Sequence, residues 1–399
     1  MSQSLAPDTF GLPKSAGAPA QPRRGAQDHR PVVWWLFAMC ALIALMVSVG
    51  GATRLTDSGL SITEWKPIVG AIPPLSQETW LAEFEKYKQI PEYAEVNAGM
   101  SLGAFKEIYW WEWGHRFLGR VIGLAFAIPF FVFVVTGRVR GALRWQLLGL
   151  FLLGGAQGAL GWYMVKSGLT ERVDVSQYRL AAHLGLAIAL FALMLVRALT
   201  LRRTYTARVS DAAPPFGRQS TLARAWVFAG LLTGGIYLQI ILGAFVAGLR
   251  AGHSYNTWPL MGGRFFPEAY FDGAPRFAAL FETFAAVQFN HRMMAYLLFA
   301  AALVFAWRLR KTAMAKPALI FASLVSAQAV LGIITLLTYT PIGLGLAHQL
   351  GALLVLSTGI WMTERAYFFS QFVRLQGVTG ARSSSMSTMG GTMTPELAV

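Results

Sequence analysis

Eight apolar runs constrain this chain more than anything else in it, because each is long enough to cross a bilayer as a helix, which takes ~20 residues. They cover 32–54, 116–136, 145–165, 180–200, 224–247, 289–307, 317–338 and 343–363. The last two are joined only by the turn from Thr338 to Gly343, which contains Pro341. Lipid offers no partner to a backbone N–H or C=O, so runs of this kind fold as helices. The expected fold is an all-α membrane protein of eight transmembrane helices. Only 13% of the residues are charged, about half of what a soluble globular chain carries.

The net charge of +15 would suggest a nucleic-acid partner in a soluble protein. Its distribution argues against that here. With the N-terminus inside, the cytoplasmic segments are 1–31, 137–144, 197–224, 308–316 and 364–399, and they hold 20 of the 34 Lys and Arg. The long outer loop 55–113 has four Lys against nine Asp and Glu. Such asymmetry is the positive-inside pattern, and it predicts both termini in the cytoplasm. The basic excess is therefore a topology signal, with attraction to anionic lipid headgroups as a side effect and no role for nucleic acid. Cys40, the sole cysteine, falls within the first span and reads as a packing residue.

The expected organisation is a disordered cytoplasmic tail over 1–31, rich in Pro, Ala and Gly, ahead of a first span too long for a signal-peptide core. A four-helix bundle over 32–200 follows, then a cytoplasmic linker over 201–223 and a second bundle over 224–365. The chain closes on a cytoplasmic tail, 366–399, expected to be largely disordered and low in complexity from Ser383 onward. The two bundles read as a parallel repeat. Gly59-Leu-Ser61 leading to Trp65 returns as Gly252-His-Ser254 leading to Trp258, and His115-Arg116 returns as His291-Arg292. Gln157-Gly-Ala-Leu160-Gly161 returns as Gln328-Ala-Val-Leu331-Gly332, and Ala182-His183 as Ala347-His348. The offsets shrink in order, 193, 176, 171 and 165, as shorter loops in the second half require.

Histidines carry the functional argument. His115, His183, His291 and His348 fall one per even-numbered span, each expected within two turns of its outer end. Ionisable groups inside a membrane are costly and usually mark function. A proton relay would stagger them through the membrane, and a bare-metal site would want carboxylates or thiolates, of which only Glu112 is near. Two pairs, His115 with His183 and His291 with His348, suit axial ligation of two haems. Arg116 and Arg292 are suited to pairing with haem propionates, with snorkelling to the interface as the alternative. Glu112 stands one turn before His115, where the second half has Gln288. The two sites therefore differ in one ionisable group, unless Glu112 is simply an interfacial acid. Arg54 with Thr56 could also reach the first site.

Several further motifs complete the picture: Gly50-Gly51-Ala-Thr53-Arg54-Leu55-Thr56, Ser58-Gly59-Leu60-Ser61, Glu64-Trp65-Lys66-Pro67, Glu112-Trp113-Gly114-His115-Arg116, Asn256-Thr257-Trp258-Pro259-Leu260-Met261 and Phe289-Asn290-His291-Arg292. On these, residues 30–370 resemble the haem A synthase family of alphaproteobacteria and mitochondria. The resemblance implies an oxidoreductase that converts the C8 methyl of haem O to a formyl group by successive hydroxylations, making haem A for cytochrome oxidase. It implies haem b held by His291 and His348, with Arg292 and Arg116 as cofactor-binding residues. Substrate haem O would lie between His115 and His183, with Glu112 as the catalytic acid. It also implies a bacterial inner-membrane location, a mitochondrial one being the lesser alternative. Haem O synthase is the delivery partner by analogy, and the oligomeric state is left open. Some members carry an outer-loop cysteine pair that this chain lacks. The competing reading is a non-enzymatic di-haem electron carrier of the cytochrome b type linked to quinone. It leaves Glu112 and the inequality of the two sites without a purpose.

Overall fold

The computed structural model describes residues 28–169, 173–206, 219–273 and 275–389. The expected tail over 1–31 lies outside this range up to residue 27, as do 207–218 of the linker and everything after residue 389. The described chain is helical, and among the described residues the one β-bridge joins Met261 to Arg264. Eight helices are long and apolar enough to cross a membrane: α1 (Arg30–Leu55), α4 (Leu102–Val135), α5 (Gly141–Gly168), α6 (Gln177–Thr206), α7 (Gln219–Gly248), α9 (Phe284–Leu309), α10 (Ala315–Leu337) and α11 (Ile342–Met389). Three short helices, α2 (Gln77–Tyr87), α3 (Pro91–Glu95) and α8 (Arg276–Glu282), belong to the connecting segments.

Neighbouring helices follow the same cyclic order in both halves. In the first, α1 packs on α4, α4 on α5, α5 on α6, and α6 back on α1. In the second, α7 packs on α9, α9 on α10, α10 on α11, and α11 back on α7. The halves meet where α6 packs on α7 and α1 on α11. One continuous apolar core runs through this junction, from Leu36 and Met39 through Ile188 and Met194 to Phe321 and Leu356. Outward positions such as Leu124, Ile128, Val135, Leu231 and Leu303 are exposed, as a lipid-facing surface requires. Cys40 is buried in the core, its Sγ 3.8 Å from the Phe191 carbonyl, a packing role.

α4 departs from expectation. The hydropathy reading starts this span at residue 116, but the helix begins at Leu102, where the Ser101 hydroxyl accepts from Ala104 N. At 34 residues it is about 50 Å long, well beyond the ~30 Å of a bilayer's hydrocarbon core. His115 consequently lies well inside its helix, unlike His183, His291 and His348, which sit within two turns of Gln177, Phe284 and Ile342. The reason is a change of packing partner. Residues 102–114 bury Phe105, Tyr109 and Glu112 at helical spacing, against protein rather than lipid. Their partners are Trp80, Phe84 and Tyr87 of α2, with Ile90, Leu60 and Ile62. The loop 55–113 thus folds as an aromatic cap. α2 within it is opened by a capping box between Ser76 and Thr79.

Candidate functional site

Each of the four helical histidines rests against a glycine on the transmembrane helix before it in the chain. A Cβ added at Gly50, Gly161, Gly243 or Gly332 would lie 3.3, 2.9, 3.1 or 2.8 Å from the ring of His115, His183, His291 or His348. Any larger residue there would displace the imidazole. All four rings are half-buried. His115 on α4 and His183 on α6 belong to one half, and His291 on α9 and His348 on α11 to the other.

A glutamine one turn before the glycine reaches three of the rings. Gln157 Nε2 lies 3.1 Å from His183 Nδ1, Gln239 Nε2 3.1 Å from His291 Nδ1, and Gln328 Nε2 3.1 Å from His348 Nδ1. The same three amides donate to the backbone carbonyls of His183, His291 and His348 at 3.0, 3.0 and 2.8 Å. The side-chain oxygens of Gln157 and Gln239 are buried without a partner. The motif on α5 and α10 is visible in the sequence as a repeat between halves. The copy on α7, Gln239-Ile-Ile-Leu242-Gly243, escapes that comparison because its counterpart on α1 begins with Met46.

Directly after His115 and His291 in the chain, two arginines close matching latches onto the loops at these ends of the bundles. Arg116 donates to the carbonyls of Ile62 and Glu64 at 2.8 and 3.0 Å and pairs with Glu112 Oε1 at 2.5 Å. Arg292 donates to the carbonyls of Tyr255 and Thr257 at 2.7 and 2.9 Å and to Gln288 Oε1 at 3.0 Å. Every partner in one latch has its repeat equivalent in the other, at offsets of 193 in the loops and 176 in the helices. Neither arginine snorkels to solvent. Both direct their terminal nitrogens at loop carbonyls, and Arg292 keeps a buried Nε with no partner.

Glu112 is 2% exposed, which disposes of the interfacial-acid alternative. Its second oxygen accepts from Ser61 Oγ at 2.8 Å and Ile62 N at 2.7 Å. Gln288, in the equivalent place, donates to the Ala251 carbonyl at 3.0 Å. At this position the two latches differ by one ionisable carboxylate. Arg120 extends the first latch by donating to the carbonyls of Lys66 and Pro67, whereas its counterpart Tyr296 is exposed.

Around this latch lies a charged cluster that sequence reasoning missed. Arg54 pairs with Asp57 and Asp174 at 3.1 and 3.3 Å, and Arg250 pairs with the same two at 2.8 and 2.9 Å. Arg54 therefore serves this junction rather than a histidine pair. Asp57 and Arg250 are repeat equivalents, both with left-handed backbone at φ 51° and 54°, and they meet where the halves join. Glu92 of α3 is buried nearby, one carboxyl oxygen without a partner. Burial, then the charges of Glu112, Asp174 and Asp57, push its pKa up to about 8. The signal for Glu92 is slight, one acid among nine in a polar loop.

The donor set suits haem on structural grounds. Each half carries two imidazoles, glycines make room for the rings, and the glutamine amides that contact two of them have unpartnered acceptor oxygens. An iron-bound imidazole carries its hydrogen on the other nitrogen and needs such an acceptor. Among the described residues, no three of His, Cys, Asp and Glu group as ligands for a bare metal ion.

These features define a multi-pass membrane protein of eight spans, with a histidine in every even-numbered span. The chain belongs to the COX15-CtaA family of cytochrome oxidase assembly proteins, whose family model matches residues 33–360. It is 53% identical over 338 residues to the haem A synthase of Parvibaculum lavamentivorans, covering 85% of this chain and 95% of that one. It is 55% identical over 346 residues to the haem A synthase of Azorhizobium caulinodans, covering 86% and 94%. The haem A synthase of Bradyrhizobium diazoefficiens is 51% identical over 346 residues, covering 85% and 92%.

Proposed function

We propose that this chain is a haem A synthase of the bacterial inner membrane, oxidising a ring methyl of haem O to a formyl group. The observation that carries the reading is the replacement of Gln288 by Glu112 in otherwise matching latches. Two sites of one design, with a buried carboxylate in only one latch, suit one site that does chemistry and one that does not. The relatives' shared name supports the same conclusion.

In this reading the halves are repeats about an axis along the membrane normal, with both termini in the cytoplasm. His291 and His348 hold haem b, and the unpartnered Arg292 Nε is the donor left for a propionate. Haem b supplies one-electron redox chemistry between the substrate and an outside acceptor. His115 and His183 would hold haem O, in the half that carries the aromatic cap. Arg116 acts on the substrate through the loop it pins, keeping residues 61–64 over the bundle. Glu112 stabilises positive charge that develops beside the ring as the methyl is oxidised, in a site shielded from water. Both of its oxygens are engaged, so one donor must first turn away. The Ser61 hydroxyl is the movable one, since the Ser58 and Ile108 carbonyls lie 3.1 and 3.3 Å from its oxygen as alternative acceptors. Delivery of haem O by a haem O synthase belongs to the same reading.

Glu112→Gln copies the second half's residue into the first. The expected outcome is a protein that keeps haem b and loses haem A formation by at least about a hundredfold. Undiminished turnover would remove Glu112 from the mechanism.

A further inference from the structure

We propose that Gln157, Gln239 and Gln328 are positioning residues that lock three of the four imidazoles, and that Met46 leaves His115 as the ligand that exchanges. The inference rests on the haem reading above and goes beyond it, because it assigns unequal tasks to four histidines that otherwise look alike.

The lock is geometric. Each glutamine amide nitrogen contacts both a ring nitrogen and the backbone carbonyl of one histidine on the neighbouring helix. The backbone carbonyl anchors the amide beside the ring. Because the free nitrogen of an iron-bound imidazole carries a hydrogen, the amide oxygen is the group that can then hold the ring in place. The carbonyl also fixes which way the amide faces, since a reversed amide would set oxygen against oxygen. That orientation leaves the Gln157 and Gln239 oxygens unpartnered, on the same amide group that contacts the ring. A buried acceptor without a donor is unfavourable by itself, and an iron-bound imidazole supplies the missing N–H.

α1 keeps the spacing and omits the amide. Met46-Val47-Ser48-Val49-Gly50 stands where the other helices have Gln-X-X-Leu-Gly. Gly50 still receives the His115 ring, but a thioether offers no carbonyl oxygen to accept the N–H of a ligated imidazole. Among the described residues, no hydrogen bond reaches the His115 ring. Met46 instead approaches Gly119 of α4, its Cε 3.6 Å from where a Cβ would be.

The position of the exception is what gives it meaning. It falls in the half that contains Glu112, on a ligand carried by the same helix, and both ligands of the other half are locked. A resident haem benefits from two fixed ligands. A substrate that must enter and leave as product benefits from one ligand that yields while the other, His183, keeps its register.

The test uses the full-length protein in detergent, loaded at both sites with ferric haem B, and follows haem transfer to excess apo-globin alongside the low-spin electron paramagnetic resonance signal. The wild type should release haem in a fast and a slow phase. Gln239→Met and Gln328→Met, which copy α1's own residue, should speed the slow phase by roughly tenfold to a hundredfold and shift the low-spin signal. Met46→Gln should slow the fast phase by roughly tenfold. Wild-type rates and signal in glutamine variants that retain their haem would overturn the proposal. If those variants fail to accumulate, an unchanged fast phase in Met46→Gln would overturn it. Failure of the haem reading is separately visible, as slow-phase haem that survives both His291→Ala and His348→Ala.

Discussion

At the scale of single residues, the first half differs from the second by buried carboxyl groups. Glu112 is held by three donor groups, whereas Glu92 has an oxygen with none. With its pKa pushed up to about 8, folded Glu92 keeps its proton at pH values where the unfolded chain has released it. Its contribution to stability is therefore fullest below the ordinary value of 4.5 and is lost as pH rises toward about 8. Glu92→Gln should flatten this dependence, raising the thermal midpoint in detergent by about 5 °C at pH 8 and little at pH 5. Equal shifts at both values would mean that Glu92 keeps its charge in the folded protein. Sequence reading found Glu112 because it stands one turn from a histidine and its repeat partner is an amide. Glu92 has neither mark, since burial by a folded loop leaves no local trace in the sequence. The latches were hidden for a related reason: Arg116 and Arg292 bind backbone carbonyls, which every residue possesses.

Among helices, the recurring unit is a glycine on one and a histidine on the next. Alanine is the better helix former by about 1 kcal/mol, so Gly332→Ala should favour α10 as a helix. Yet it would set a Cβ 2.8 Å from His348 Cε1, closer than packing allows. The expected result is normal accumulation with roughly tenfold less haem b retained through purification. Gly234→Ala on α7, where a Cβ meets nothing within 4 Å, should retain it in full. Equal retention in both variants would mean that the glycine does not set the ring's position. The transmembrane helices were legible because lipid demands long apolar runs. The start of α4 was not, because Lys106 and Glu107 interrupt the apolar pattern where the helix leaves the membrane for the cap. Hydropathy measures contact with lipid, and these turns contact α2 instead.

For the whole molecule, two four-helix rings share a core and an ionic junction in which Asp57 of one half meets Arg250 of the other. If the positive-inside reading holds, alkaline phosphatase fused to either terminus should be inactive and a cytoplasmic fluorescent reporter active. An active phosphatase at either end would overturn that topology. The repeat itself was readable because loops may change length while the residues around each histidine keep their order. The junction was not, since it arises only when the halves dock. All of these features serve one claim, that two similar sites do different work on haem. Extraction and chromatography of the haems bound to the purified protein, produced with and without a source of haem O, tests that claim most directly. The account predicts haem B alone without the source, and haem B together with haem A or its hydroxylated precursor with it. Haem B alone in both preparations would contradict it and favour a membrane electron carrier.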